Sequence, residues 1–132
     1  MIFYYCTNCN EVVMFNNVSP LVKCCDQDMI ELLPNQNEED FDAHQPIIRK
    51  FGNLVTVLVG NAPHPMVEVH HIDFIILETN KGTYYKKLNL EDDAIADFLV
   101  HNQEEVLRAY VYCNNHFLYV SEDVKDFTKE IK

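Results

Sequence analysis

Residues 105–113 read EVLRAYVYC. Successive side chains of a strand point to opposite faces, so Leu107, Ala109, Val111 and Cys113 share one face and Arg108, Tyr110 and Tyr112 the other. Cys113 therefore stands at the end of a strand, on its apolar side. Working outward, apolar and β-branched runs recur on both flanks: IIRKFGNLVTVLVG at 47–60, IDFIILET at 72–79, TYYKKLNL at 83–90, IADFLV at 95–100 and FLYV at 117–120. Turn-like NKG and acidic or amide-rich stretches separate them. Six or seven short strands without a long helix predict an all-β fold, an antiparallel sandwich over residues 36–122.

Two segments lie outside that pattern. Residues 1–35 hold four of the five cysteines and end at LPNQNEEDFD (33–42), a polar, acidic stretch with Pro34 that reads as a linker. The tail SEDVKDFTKEIK (121–132) offers Ser121 as an N-cap. Val124, Phe127 and Ile131 fall at helical spacing, with acids early and Lys129 and Lys132 late, predicting a short C-terminal helix over 123–132.

The chain has 132 residues, with 10 Lys and Arg against 21 Asp and Glu, a net charge of −11. Such a surface argues against nucleic acid or an anionic membrane as partner and favours a basic partner or a small substrate. The N-terminal MIFYYCTNCNEVVMF lacks a basic residue ahead of its apolar run, so it does not read as a signal peptide, and LVTVLVG is too short to span a bilayer. A cytoplasmic protein is expected. In that reducing compartment the cysteines point to metal ligation before disulfides.

Cys6 and Cys9 form a CxxC, and Cys24 and Cys25 complete a set of four thiolates. Four soft sulfur ligands would hold zinc or iron tetrahedrally and would supply folding energy that so short a module lacks. Spacing alone leaves a structural zinc knuckle and a redox iron equally open.

A second set is mixed. PHPMVEVHH (63–71) packs three histidines into nine residues, and Pro65 excludes the helical i, i+4 pairing of zinc-binding histidines, so the stretch is a loop running into a strand. His64 and His70 from this loop, His44 from FDAHQP, and Cys113 with His116 from YCNNHF offer four imidazoles and one thiolate to one metal. Five such ligands suit a redox-active iron with one open position better than closed tetrahedral zinc. His71 would point the opposite way along a strand and is read as a packing or supporting residue; His101, in polar HNQEE, is read as an ordinary histidine.

These residues carry a resemblance. CTNC and CCDQDM are similar to the desulforedoxin-like module of desulfoferrodoxins, the two-iron class of superoxide reductase, and GNAPHPMVEVHHI with CNNHFLY resembles their catalytic sandwich. The likeness covers roughly residues 3–120. It implies that Cys6, Cys9, Cys24 and Cys25 bind a first iron, with zinc as an alternative occupant. It implies further that His44, His64, His70 and His116, equatorial, and Cys113, axial, bind a second iron whose sixth position takes superoxide. The implied activity is one-electron reduction of superoxide to hydrogen peroxide, by a homodimer fed from a rubredoxin-like or flavin-linked donor.

The chain also departs from the family pattern. Asp42 and Ala43 replace the usual Glu-Lys ahead of the first histidine ligand, so Asp42 stands where a glutamate caps the oxidised iron, and no ammonium follows it. Asn10 and Asp26 replace glycines. Two other readings therefore stay open: a non-catalytic or weakly active iron-binding redox sensor of the same fold, and a zinc-ribbon adaptor with an immunoglobulin-like domain, which would leave the histidines idle.

Overall fold

The computed structural model describes residues 1–16 and 22–130. It divides into two compact units, Met1–Pro34 and Asn35–Lys132.

The first unit is a small three-stranded antiparallel sheet, order β2–β1–β5, from β1 (Ile2–Tyr5), β2 (Val12–Phe15) and β5 (Ile30–Leu32). A minimal hairpin, β3 (Lys23–Cys24) with β4 (Gln27–Asp28), carries the second cysteine pair. Its core is slight: Tyr4, Cys6 and Met29 are buried, with Ile2, Val13, Phe15 and Val22 packed around them.

The second unit stacks two four-stranded sheets, β10–β7–β6–β13 and β12–β11–β8–β9. The strands are β6 (Pro46–Phe51), β7 (Leu54–Val59), β8 (Ile72–Thr79), β9 (Thr83–Lys87), β10 (Ile95–Leu99), β11 (Val106–Cys113), β12 (Phe117–Ser121) and β13 (Val124–Asp126). Alternation works as the sequence requires. Along β7 and β10, Val55, Val57, Val59, Ala96 and Phe98 face inward and meet Ile75, Leu77, Ala109 and Val111 of the other sheet. Each fully buried aliphatic there contributes about 1.5–3 kcal/mol.

One inward position differs from expectation. Register shifts between Val106 and Arg108, so Leu107 is the extra residue of a bulge and Val106, not Leu107, packs against the core.

Just before β11, Glu104 is only 5 % exposed. It is held by the Thr79 hydroxyl, the Tyr84 hydroxyl at 2.8 and 2.9 Å and the His101 amide at 3.0 Å. The Thr79 hydroxyl, then the His101 amide, keep this carboxyl below the usual carboxylate range.

Two expectations are overturned. The tail is not a helix: Val124–Asp126 form β13, parallel to β6 in an otherwise antiparallel unit, and only Thr128–Glu130 make a 3₁₀ turn, with Ile131 and Lys132 outside the described residues. Phe127 stacks on Phe51 at 5.3 Å and its amide donates to the Lys50 carbonyl at 2.8 Å. Pairing with the open edge of β6 outweighs the marginal propensity of so short a helix. Ser121 caps no helix; it ends β12, and its hydroxyl accepts from the Asp123 amide.

The acidic stretch after Pro34 is likewise no free linker. The Asn35 amide donates to the Leu118 carbonyl at 2.9 Å, and its side chain bonds both main-chain groups of Val120. A 3₁₀ turn (Glu38–Asp40) then leads into a one-turn helix, α1 (Phe41–His44). That helix stops because Pro46 forces Gln45 to an extended ψ of 137°.

Candidate metal centres

In the first unit, the sulfur atoms of Cys6, Cys9, Cys24 and Cys25 lie within 4.8 Å of one another. Cys9 and Cys24 are 3.4 Å apart, Cys24 and Cys25 3.7 Å. Disulfides are excluded at these lengths, since the bond spans about 2.05 Å. Thiolates about 2.3 Å from one tetrahedral ion lie about 3.8 Å from each other, so the spacing fits a shared metal. Both knuckles turn through positive φ at non-glycine residues: Asn10 (65°), Cys25 (54°) and Asp26 (60°). Asn10 is secured by its amide bond to the Cys6 carbonyl and by the Tyr5 hydroxyl on its side chain at 2.7 Å. Hydrogen bonding from the Cys9 amide brings the Cys6 thiol down to about 6. The neighbouring sulfurs Cys6, Cys9 and Cys25 push the Cys24 thiol up.

In the second unit one end of the sandwich gathers the histidines. His44 ends α1; His64 and His70 flank the loop before β8; Cys113 closes β11 and His116 sits in the turn to β12. The ring centroids form a circuit, His44 to His64 (4.7 Å), His64 to His70 (4.6 Å), His70 to His116 (5.1 Å) and His116 to His44 (4.6 Å). The His44 to His70 diagonal is 6.3 Å, longer than every side, as in a square. Cys113 approaches this square from one side, its sulfur 3.7 Å from His64 Nε2 and 3.6 Å from His116 Nδ1.

Which nitrogens face inward follows from the outer bonds. His44 Nδ1 donates to the Asp40 carbonyl and His64 Nδ1 to the Pro65 carbonyl, both at 2.8 Å, leaving each Nε2 unprotonated. Those two bare nitrogens meet at 3.0 Å. Two lone pairs so placed repel each other unless a cation binds both, and ligands about 2.1 Å from one ion at right angles lie about 3.0 Å apart. Among the described residues His70 Nε2 is buried with no hydrogen-bond partner. A ring nitrogen of His70 lies within 4.8 Å of the donor atoms of His44, Cys113 and His116, and an orphaned buried nitrogen in such a group suits a metal centre. Burial, then the surrounding imidazoles, holds His44, His64 and His70 below the usual imidazole range, His64 at about 4, so they stay neutral and able to ligate. Burial pushes the Cys113 thiol up, and a bound cation would reverse that sign.

Every ligand proposed from the sequence thus converges on one of two places. Asp42 does not join them: it is exposed on α1 and belongs to neither donor cluster among the described residues. Ala43 is also exposed. His71 is turned away and bonded at both nitrogens, to the Val67 carbonyl (3.0 Å) and Asp73 (2.8 Å). Three supporting residues escaped the reading. Asn114 clamps the histidine loop, accepting from the His71 amide at 2.8 Å and donating to the Val69 carbonyl at 3.2 Å. Tyr119 stacks on the His44 ring at 4.8 Å and 13°. Gly60, at φ +69°, lies where a Cβ would come within 2.2 Å of the Ala43 carbonyl oxygen, so only glycine lets β7 and α1 approach this closely. Asn114 and Gly60 were visible inside CNNH and GNAPHPM; their partners were not.

A model of the desulfoferrodoxin family matches residues 35–122. The chain belongs to the desulfoferrodoxin family. It is 33% identical over 119 residues to a desulfoferrodoxin homolog of Archaeoglobus fulgidus, spanning 89% of this chain and 94% of that protein. With the desulfoferrodoxin of Desulfarculus baarsii it shares 34% over 115 residues, 86% and 89% of the two chains. Among solved structures, the superoxide reductase from Treponema pallidum has the same fold, with a TM-score of 0.78 at 24% identity over 92% of this chain and 98% of that one. A superoxide reductase (1Fe-SOR) from Giardia intestinalis covers 61% of this chain, with 95% of its own length matched, at a TM-score of 0.53 and 27% identity. Among the described residues no helix is long and apolar enough to cross a membrane.

Proposed function

We propose that the chain is a superoxide reductase, reducing superoxide to hydrogen peroxide at an iron held by His44, His64, His70, His116 and Cys113, with a further iron in the Cys6, Cys9, Cys24 and Cys25 site. The square of four imidazoles with the Cys113 sulfur against it carries this reading, because these five residues would hold an iron ion and, being five, would leave room on it for a small ligand. When bound, the iron supplies the electron. The chain's part is to hold the inward nitrogens free of protons, to keep Cys113 out of water and to fix ring orientation through the Asp40 and Pro65 carbonyls. Membership of the desulfoferrodoxin family supports the same reading, as does the Giardia likeness. A rubredoxin-like or flavin-linked donor, a homodimer and a cytoplasmic setting belong to the proposal.

An iron-binding redox sensor is the second reading, favoured by one observation: exposed Ala43 brings no cation to a chain of net charge −11. Rapid mixing of the reduced, iron-loaded protein with superoxide separates the two. Fast, second-order bleaching or development of the second site's spectrum, with peroxide formed, is expected; a stoichiometric but slow response favours the sensor. Cys113→Ser is expected to keep iron at reduced affinity and to lose the thiolate-to-iron absorption, and an unchanged visible spectrum would remove sulfur from the ligand set.

A further inference from the structure

We infer that Asp40 is a positioning residue of the second centre, fixing two of its histidines at once; the inference rests on the reading of that centre as an iron site. Its main-chain carbonyl takes the His44 Nδ1 proton at 2.8 Å. Its carboxylate Oδ2 stands 3.7 Å from His116 Nε2. His116 Nδ1 faces the Cys113 sulfur, so Nε2 is the outward nitrogen, and the carboxylate, beyond direct hydrogen-bond reach, acts on it through its charge, which favours the tautomer with the proton on that side. Oδ2 itself accepts a hydrogen bond from the Asn37 side-chain Nδ2 at 2.7 Å, which restrains the carboxylate.

The partners also differ in kind. His44 and His64 give their outer protons to neutral carbonyls of Asp40 and Pro65, whereas His116 faces an anion. A carboxylate behind a ligating imidazole increases its donor strength and favours the more highly charged state of the ion. Side chains of Asp40 and His116 are 36% and 28% exposed, so solvent damps the attraction and the low end of outer-shell effects applies.

The test uses the full-length, iron-loaded protein and its Asp40→Asn, Asp40→Ala and Asp40→Glu variants, all of which retain the main-chain carbonyl. Loss of iron from the second site to a competing chelator is expected to accelerate about tenfold in Asp40→Ala. Its reduction potential is expected to rise in Asn and Ala and to stay nearer wild type in Glu, which keeps the charge. In metal-free protein, nitrogen chemical shifts of His116 are expected to report the Nε2–H form in wild type and a mixture in Asp40→Ala. Folded variants with unchanged iron loss, potential and tautomer would make Asp40 a surface acid and overturn this inference alone. A wild-type chain that takes no iron at this site overturns the reading of the centre and this inference together.

Discussion

Ala43 is the residue at which chemistry and surroundings pull apart. Superoxide is an anion, the chain carries a net charge of −11, and a ferrous ion with one thiolate contributes only about one positive charge. Ala43 is exposed one residue before His44, so a longer side chain meets no packing obstacle there. Ala43→Lys is expected to raise the second-order rate with superoxide, most at low ionic strength, where the Debye length is longest. An unchanged rate and salt dependence would mean that another cation already focuses the approach. Arg49 is the one to test, since it and His64 line a common cavity of about 690 Å³ beside the loop. The nine residues that the fold gathers into two donor clusters were legible at this scale, because cysteine and histidine are few in the chain and stand in short, recognisable spacings. Their supports were not legible: Asp40 and Tyr119 act through contacts made only when the chain folds back on itself.

At the scale of elements, alternation made the sandwich strands readable and failed where tertiary contacts decide. EEDFDAH has the composition of a linker, yet α1 persists because Phe41 packs near Tyr119 and because the Gly60 and Asn61 amides donate to the Gln45 and Asp42 carbonyls. Four residues could not hold a helix in water without such docking. Gly60→Ala forces a methyl group against the Ala43 carbonyl at a backbone angle that alanine avoids. A loss of about 2–4 kcal/mol is expected, together with weaker iron retention as His44 shifts, while the first site stays loaded. Chemical denaturation and iron quantification of each site check this. The tail misled for the opposite reason: Val124, Phe127 and Ile131 satisfy helical spacing, but nothing local in SEDVKDF announces that β6 has an open edge.

For the whole molecule, the two units differ in what keeps them folded. The sandwich has an apolar core cluster of sixteen buried residues; among the described residues the first unit buries four hydrophobic ones, Phe3, Tyr4, Cys6 and Met29, too few for about 34 residues without a metal. Cys24→Ser with Cys25→Ser is therefore expected to unfold residues 1–34 and erase that site's absorption. Superoxide reduction by the prereduced second site should persist; its complete loss in a variant whose sandwich is folded and iron-loaded would overturn the division of labour. The fold class of both units was readable because cysteine spacing and strand parity are local signals.

The parallel strand at the end of the chain has a further consequence, for solubility. β13 occupies the flank of β6, where Val124, Lys125 and Asp126 satisfy main-chain groups that would otherwise face water. Ending the chain after Ser121 would uncover the outer edge of β6 at Ile48–Lys50, its other edge staying paired with β7, and would deprive Phe51 of its stacking partner. Such a truncated protein is expected to keep both metal sites yet to self-associate further through strand addition, seen as concentration-dependent sedimentation or light scattering beyond that of the intact chain.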